Sequence, residues 1–377
     1  MNLFDVYPLY NITPVSGKGP YVYTEAGEKY LDLYGGHAVI SIGHAHPHYL
    51  KMLGEQLHKL GFYSNSIQNP LQQELADKLE GIAKIKDYSL FFCNSGAEAN
   101  ENALKLASFH TGKSGVVYFE NAFHGRTSAA VAVTDNESIK AALNNLHEVT
   151  KIAFEDVNAL EETLKQSKTA AVIMEVIQGV GGLDEASTEF YVKVETLCKK
   201  YNVVLIADEV QSGYGRTGDF FAYQKHGIRP DIISMAKGMG NGFPIGGILI
   251  DQNIPAKHGM LGTTFGGNHL ACAAGIAVLD VIKKEELMKN AASLFNYIQK
   301  EVATIPQIKR FKGRGLMLGL EFEFEVAELR KALLFDHRIF TGASSNKKLL
   351  RILPPLNIQQ EHFEMFFKAL RSKLKNY

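Results

Sequence analysis

Much that would assign a function at a glance is missing from this chain. Cysteine is scarce: there are three in 377 residues. Cys93, Cys198 and Cys272 lie far apart in the sequence, which leaves neither a disulfide framework nor a zinc site. Charge of one sign is absent too, since Lys+Arg and Asp+Glu both number 40. A nucleic-acid partner calls for a basic face, and a zero sum gives no reason to expect one. No apolar run approaches the ~20 residues that cross a bilayer. The opening "MNLFDVYPLY" lacks the basic start and apolar run of a signal peptide. Neither an internal repeat nor a low-complexity linker interrupts the chain. The absences point to a soluble cytoplasmic protein with no nucleic-acid partner and no membrane partner. What is present is an ordinary globular composition, 46% hydrophobic, enough for a large core. At ~150 residues per domain, the length suits two or three domains, or one large α/β unit with an appendage.

Short apolar runs alternate with helical patterns through the middle of the chain. "YSLFFC" (88–93), "GVVYF" (115–119), "AAVIMEVI" (170–177), "VVLIAD" (203–208), "IISMA" (232–236) and "GGILI" (246–250) read as strands. "GAEANENALKLASFH" and "STEFYVKVETLCKKY" read as helices, the second with apolar Phe190, Val194, Leu197 and Tyr201. Such alternation predicts a mainly parallel sheet flanked by helices, and strands apolar throughout are covered on both faces. After about residue 270 the texture changes. A long helical pattern, "NHLACAAGIAVLDVIKK", is followed by the strand-like "LMLGLEFEF" and "KLLRIL" and a closing helix. The expected division is an N-terminal segment 1–45 packing with a small domain, a large α/β domain 46–269, and a small α+β domain 270–377.

Open α/β sheets bind ligands beyond the carboxyl ends of their strands. After "YSLFFC" comes "NSGAE", where Ser95 is a good N-cap and Glu98 completes a capping box. Gly96 leaves N–H groups open at the helix start, where the macrodipole favours an anion; a plain capped helix is the simpler reading. After "VVLIA" come Asp208 and Glu209, costly to bury unless paired. They are either a structural ion pair or fixed anions facing a cationic ligand atom. After "IISMA" comes Lys237, followed by a glycine-rich run, "GMGNGFPIGG". A phosphate cradle, a buried acid and a strand-end lysine are what pyridoxal phosphate needs, because a lysine amine forms a Schiff base with its aldehyde. The glycines would let the backbone pass close to the ring.

Six ordered motifs carry a resemblance over nearly the whole chain: "LDLYGGHAVISIGHAHP", "FFCNSGAEANENALKLA", "NAFHGRT", "LIADEVQSGYGRTG", "SMAKGMGNGFPIGG" and "GTTFGGNHLAC". The sequence resembles the class III aminotransferases of fold type I, and is most similar to the acetylornithine aminotransferases. The resemblance implies pyridoxal 5'-phosphate as cofactor and a homodimer as the working unit. It implies Lys237 as the Schiff-base lysine that also relays the proton. Asp208 would pair with the pyridine nitrogen, Gln211 would contact the ring hydroxyl, and Phe123 would stack on the ring. Ser95, Gly96 and Ala97 would hold the phosphate, with Thr264 reaching the phosphate in the other subunit. Arg126 and Arg351 would receive substrate carboxylates, a task suited to the guanidinium fork. Glu175 matches a retained family glutamate, and Tyr10 would line the substrate pocket. Two arginines make sense on chemistry as well. An N-acylornithine reacts through its distal amine and glutamate through its α-amine, so their carboxylates sit at different distances from the reacting nitrogen.

The chain departs from the family where "EPxQGEGG" is usual and "EVIQGVGG" stands here. Val176 replaces a proline, and Val180 replaces a glutamate that in ω-aminotransferases can pair with the glutamate-binding arginine. Losing that charge would make room for a more acidic substrate such as N-succinylornithine; drift at a tolerant position explains it equally well. His269 stands where proline is common. His44, His46 and His48 in "GHAHPH" imitate a metal cluster, but the family has a similar turn with no metal, and no metal is expected. "GRGLMLG" is not followed by a helical pattern, so it is no dinucleotide fingerprint. The stripe Phe363, Phe366, Phe367, Leu370 and Leu374 reads as core. The rivals are an ornithine or 4-aminobutyrate aminotransferase, a glutamate-semialdehyde aminomutase, a nicotinamide-dependent dehydrogenase and a non-catalytic binding protein.

Overall fold

The computed structural model describes residues 1–375; the last two residues of the expected C-terminal unit lie outside the described residues. Its largest element is a seven-stranded sheet. Across the sheet the strands run Tyr88–Cys93, Gly246–Asp251, Ile232–Met235, Val204–Asp208, Thr169–Met174, Gly115–Phe119 and Val149–Ile152. Gly246–Asp251 runs antiparallel to both of its neighbours, and the other pairings are parallel. The central strands are buried along their whole length, the outcome expected of apolar strands covered on both faces.

One face is covered by the helix Gly96–Thr111. Its buried residues Ala99, Ala103 and Ala107 recur every four positions, so one nearly smooth stripe faces the sheet. Small side chains let it cross the strands Thr169–Met174, Ile232–Met235 and Gly246–Asp251. The helix Thr188–Tyr201 packs on Val204–Asp208. It starts at Ser187, whose hydroxyl accepts from Phe190 N at 3.2 Å.

The first 45 residues, read from sequence as turn-rich, contain three strands: Pro14–Lys18, Tyr21–Thr24 and Lys29–Asp32. The short strand Ile339–Phe340 pairs with the last of these, so the two ends of the chain share one sheet. Period-2 alternation is weak in runs of four or five residues, which is why they escape a pattern search. The strand Val149–Ile152 was missed for the same reason. A third sheet holds Arg310–Arg314, Met317–Glu321 and Leu349–Ile352. "GRGLMLG" is its hairpin, with Gly313 and Gly315 at φ 84° and 59°, conformations that favour glycine. Phe363, Phe366, Phe367, Leu370 and Leu374 of the closing helix are fully buried. Among the described residues, no helix is long and apolar enough to cross a membrane.

Candidate active site

The carboxyl ends of the central strands open into a cavity of about 390 Å³. Its lining includes Ser95, Gly96, Ala97, Phe123, Arg126, Glu175, Asp208, Gln211 and Lys237, nine of the twelve residues singled out from sequence. They come from five separate stretches of chain, which parallel strand ends bring to one edge.

Asp208 closes a buried strand and is itself buried. Its Oδ2 lies 2.7 Å from Nδ1 of His124 and accepts from Asn100 Nδ2 at 2.8 Å. Its Oδ1 accepts from Val210 N at 3.0 Å. Three donors compensate the cost of burying the charge. Glu209, the next residue, turns to the other side. Its carboxylate accepts from Ser212 Oγ at 2.6 Å and from the N–H groups of Ala222 and Tyr223 at 3.0 and 2.9 Å. Glu209 is thus held by neutral donors and, among the described residues, forms no ion pair, whereas Asp208 lines the cavity.

Glu175 sits under the cavity and accepts from Phe123 N and Gly179 N, both at 2.8 Å. It thus ties the turn carrying Phe123 to the "QGVGG" turn. Burial pushes its carboxyl up to about 7, with Asp208 pushing the same way and His124 opposing.

Lys237 follows the next strand, at φ 44°, a conformation that costs a non-glycine residue energy and is kept by its surroundings. Ser41 Oγ donates to Gly238 O at 2.7 Å, and Asn241 Oδ1 accepts from Ser41 N and Ile42 N at 2.9 and 3.0 Å. Among the described residues the Lys237 amine makes no hydrogen bond or ion pair. Burial lowers its pKa, Asp208 and Glu175 counteract, and Arg351 adds to the lowering. The result is a more nucleophilic amine aimed into the cavity.

The glycines after Lys237 serve packing more than ring clearance. A Cβ on Gly240 would lie 2.0 Å from Phe243 O, and one on Gly246 2.8 Å from Ser95 O. Gly242 alone among them lines the cavity with positive φ, 103°. At the opposite wall, Ser95 Oγ caps the helix by accepting from Glu98 N at 3.2 Å. The expected capping box is altered: Glu98 reaches past Ser95 to Asn94 N at 2.8 Å. The N–H groups of Gly96 and Ala97 have no intrahelical acceptor and face the cavity with the positive end of the helix.

Arg351 lies beside the cavity and is buried. Its guanidinium donates to Gly179 O at 2.7 Å, Gln211 Oε1 at 3.4 Å, Tyr34 Oη at 3.3 Å and Ala343 O. No carboxylate pairs with it among the described residues, and Val180 presents an apolar wall. Arg126 is exposed at the rim and has no hydrogen bond or ion pair among the described residues.

Two residues singled out from sequence are not brought to this cavity. Thr264 is exposed, next to Phe265, whose ring packs on Phe62 at 5.3 Å. Tyr10 stands edge-on to Phe335 at 5.9 Å, on another face of the chain. The three histidines do not converge: His44, His46 and His48 meet Asp32, Glu285 and Asp280 in turn. Sequence reading passed over His124 and Asn100, though both hold Asp208. Asn100 carried a signal, a polar side chain on a helix face otherwise made of alanine and leucine.

The fold and this edge have known counterparts. The model of the class-III aminotransferases matches residues 6–374. An acetylornithine aminotransferase of Bacillus cereus is 40% identical over 370 residues, 96% of this chain and 95% of that protein. One from Aquifex aeolicus is 41% identical over 381 residues, 96% of each. The ornithine aminotransferase of Toxoplasma gondii, whose crystal structure has pyridoxal phosphate at partial occupancy in its active site, superposes with a TM-score of 0.87 at 28% identity. That likeness covers 97% of this chain and 90% of the other. This chain belongs to the class-III aminotransferase family.

Proposed function

We propose that the protein transfers the δ-amino group of N-acetylornithine to 2-oxoglutarate, giving N-acetylglutamate semialdehyde and glutamate, a step of arginine biosynthesis. The observation that carries this is one cavity holding an unpartnered, depressed-pKa amine (Lys237), a triply held carboxylate (Asp208) and an open helix N-terminus (Gly96, Ala97).

The donor set fits pyridoxal 5'-phosphate. The helix start suits a phosphate, and a Cβ on Gly96 would lie 2.5 Å from Val210 Cγ1, so only glycine leaves that wall open. When bound, the group supplies an aldehyde and an electron-accepting ring. Lys237 Nζ would hold the group covalently and, once the substrate amine has displaced it, would carry the proton away from the substrate carbon that bears the amine and return it. Asp208 offers a fixed negative charge to a protonated ring nitrogen. His124 and Asn100 orient that carboxylate. Phe123, placed by Glu175, would cover one face of the ring, and Gln211 would reach the ring hydroxyl. Arg126 and Arg351 receive carboxylates at the two distances the two substrates require.

The working unit in this reading is a cytoplasmic homodimer, with Thr264 completing the phosphate site of the partner subunit. Phe265, next to Thr264, is exposed and packs on exposed Phe62, and Tyr63 and Ile67 are exposed as well; exposed apolar side chains of this kind support the assignment. The chain divides into the segment 1–45, a large domain 46–269 and a small domain 270–377.

The test is steady-state turnover with and without 2-oxoglutarate. N-acetylornithine is expected to exceed free ornithine and 4-aminobutyrate in kcat/KM by at least about tenfold. Turnover without 2-oxoglutarate, or a preference for an unacylated amine, refutes the assignment.

A further inference from the structure

Residues 35–38 form an uncommon piece of backbone. Gly35, Gly36, His37 and Ala38 have φ of 54°, 55°, 66° and 63°, a single left-handed turn that includes two residues with side chains. L-residues pay for this conformation, so something must hold it. Asp32 Oδ1 accepts from Tyr34 N at 3.0 Å and Gly35 N at 2.7 Å, while Gln211 Nε2 donates to His37 O at 3.3 Å. Strain maintained from both sides, beside a site, points to a use.

The turn brings Tyr34 and His37 together next to Arg351. The Tyr34 hydroxyl lies 2.5 Å from His37 Nδ1 and accepts from Arg351 Nη2 at 3.3 Å. Gly342 supplies the seat for the phenol, because a Cβ there would come within 2.3 Å of Tyr34 Cε2. Of the two terminal nitrogens of Arg351, Nη1 is held by Gly179 O at 2.7 Å, whereas Nη2 has only the Tyr34 oxygen among the described residues. Nη2 is therefore the edge from which a bound group is most easily displaced.

We infer that Tyr34, backed by His37, is a neutral placeholder on Arg351, and that it helps the site accept two substrates of different carboxylate spacing. The inference rests on the amino-transfer reading. In one half-reaction the reacting carbon is a δ-carbon with no carboxylate beside it, so Arg351 faces methylene groups. In the other, the reacting α-carbon carries a carboxylate, which needs Arg351. A buried guanidinium left bare in the first state is costly. A phenol oxygen satisfies Nη2 there without cancelling the charge, and so yields to a carboxylate in the second state. Tyr34 is thus a positioning and selectivity residue, acting through Arg351.

Equilibrium binding to the cofactor-loaded enzyme tests this without turnover. The two probes are glutarate, which is 2-oxoglutarate without its keto group, and N-acetylnorvaline, which is the donor without its δ-amine. Calorimetry on Tyr34→Phe is expected to show glutarate binding about fivefold tighter, since one competing hydrogen bond is gone. N-acetylnorvaline is expected to bind no tighter than to the wild type. His37→Gly removes the phenol's acceptor and suits the positive φ; it is expected to move the glutarate-to-acetylnorvaline ratio the same way by a smaller factor. It serves as the test if Tyr34→Phe does not fold. Equal changes for both probes, or none, overturn the placeholder. Wild type that binds neither probe overturns it together with the amino-transfer reading, so the two failures are distinguishable.

Discussion

On the cavity floor, Asp208 is met by His124, Asn100 and the Val210 amide, and Glu175 by two backbone N–H groups. On the rim, Arg126 meets nothing among the described residues, and away from the cavity Thr264 and Phe265 are exposed. The floor is closed by this chain alone: each charge is taken up by groups from neighbouring strand ends and the helix 96–111. The rim is left open, and in the proposed reading that is where a substrate carboxylate would arrive. In that reading, rigidity sits where the chemistry needs a fixed charge, and open valences sit where recognition would happen.

Substitutions can break this contrast, starting with the largest effect. Lys237→Ala is expected to lower turnover by at least about 10⁴-fold, and borohydride reduction of the loaded protein should then leave no mass shift on the peptide around position 237. Asp208→Asn should lower kcat by about 10²–10³-fold through loss of the fixed charge, with the fold kept, as judged by circular dichroism. Glu209→Ala, one residue on, should do the reverse. Three donors lose their acceptor, so thermal unfolding should show a loss of about 2–4 kcal/mol, while kcat of the folded enzyme stays within about threefold. Gly96→Ala should weaken cofactor binding about tenfold, measured by reconstitution, because its Cβ would meet Val210.

Smallest in size is a pH effect. The Lys237 pKa is lowered, chiefly by burial. Its neutral form is therefore populated at lower pH than in an ordinary lysine. Capture of pyridoxal phosphate by the cofactor-free protein should rise with pH and level off below the ordinary lysine value of 10.5. A rate that keeps climbing to that value would show that the amine is not in the environment described.

The floor was legible in the sequence because its residues sit at the ends of long apolar strands, and such strands mark both themselves and the positions just beyond them. Lys237, Asp208 and Ser95 each lie at or directly after the end of one. The open edge was harder to read. Tyr10 and Thr264 lie outside the cavity lining, and any role they have in the proposed reading depends on surfaces that no spacing in one chain reports on. His124 was hidden for another reason: it is adjacent to Phe123 in sequence, but its partner Asp208 is 84 positions away, and only the sheet brings the two together. The Tyr34–His37 turn was unreadable because a run of left-handed residues has no pattern signature beyond two glycines.

Amino transfer from an acylated ornithine is tested most directly by a half-reaction on the purified, cofactor-loaded protein. One amino donor is added at a time, without acceptor, and the visible absorption band is followed. N-acetylornithine, N-succinylornithine, free ornithine and 4-aminobutyrate are compared. An acylated ornithine is expected to bleach the band far faster than free ornithine or 4-aminobutyrate, and 2-oxoglutarate is expected to restore it. No band at all, or bleaching only by an unacylated amine, would contradict that assignment.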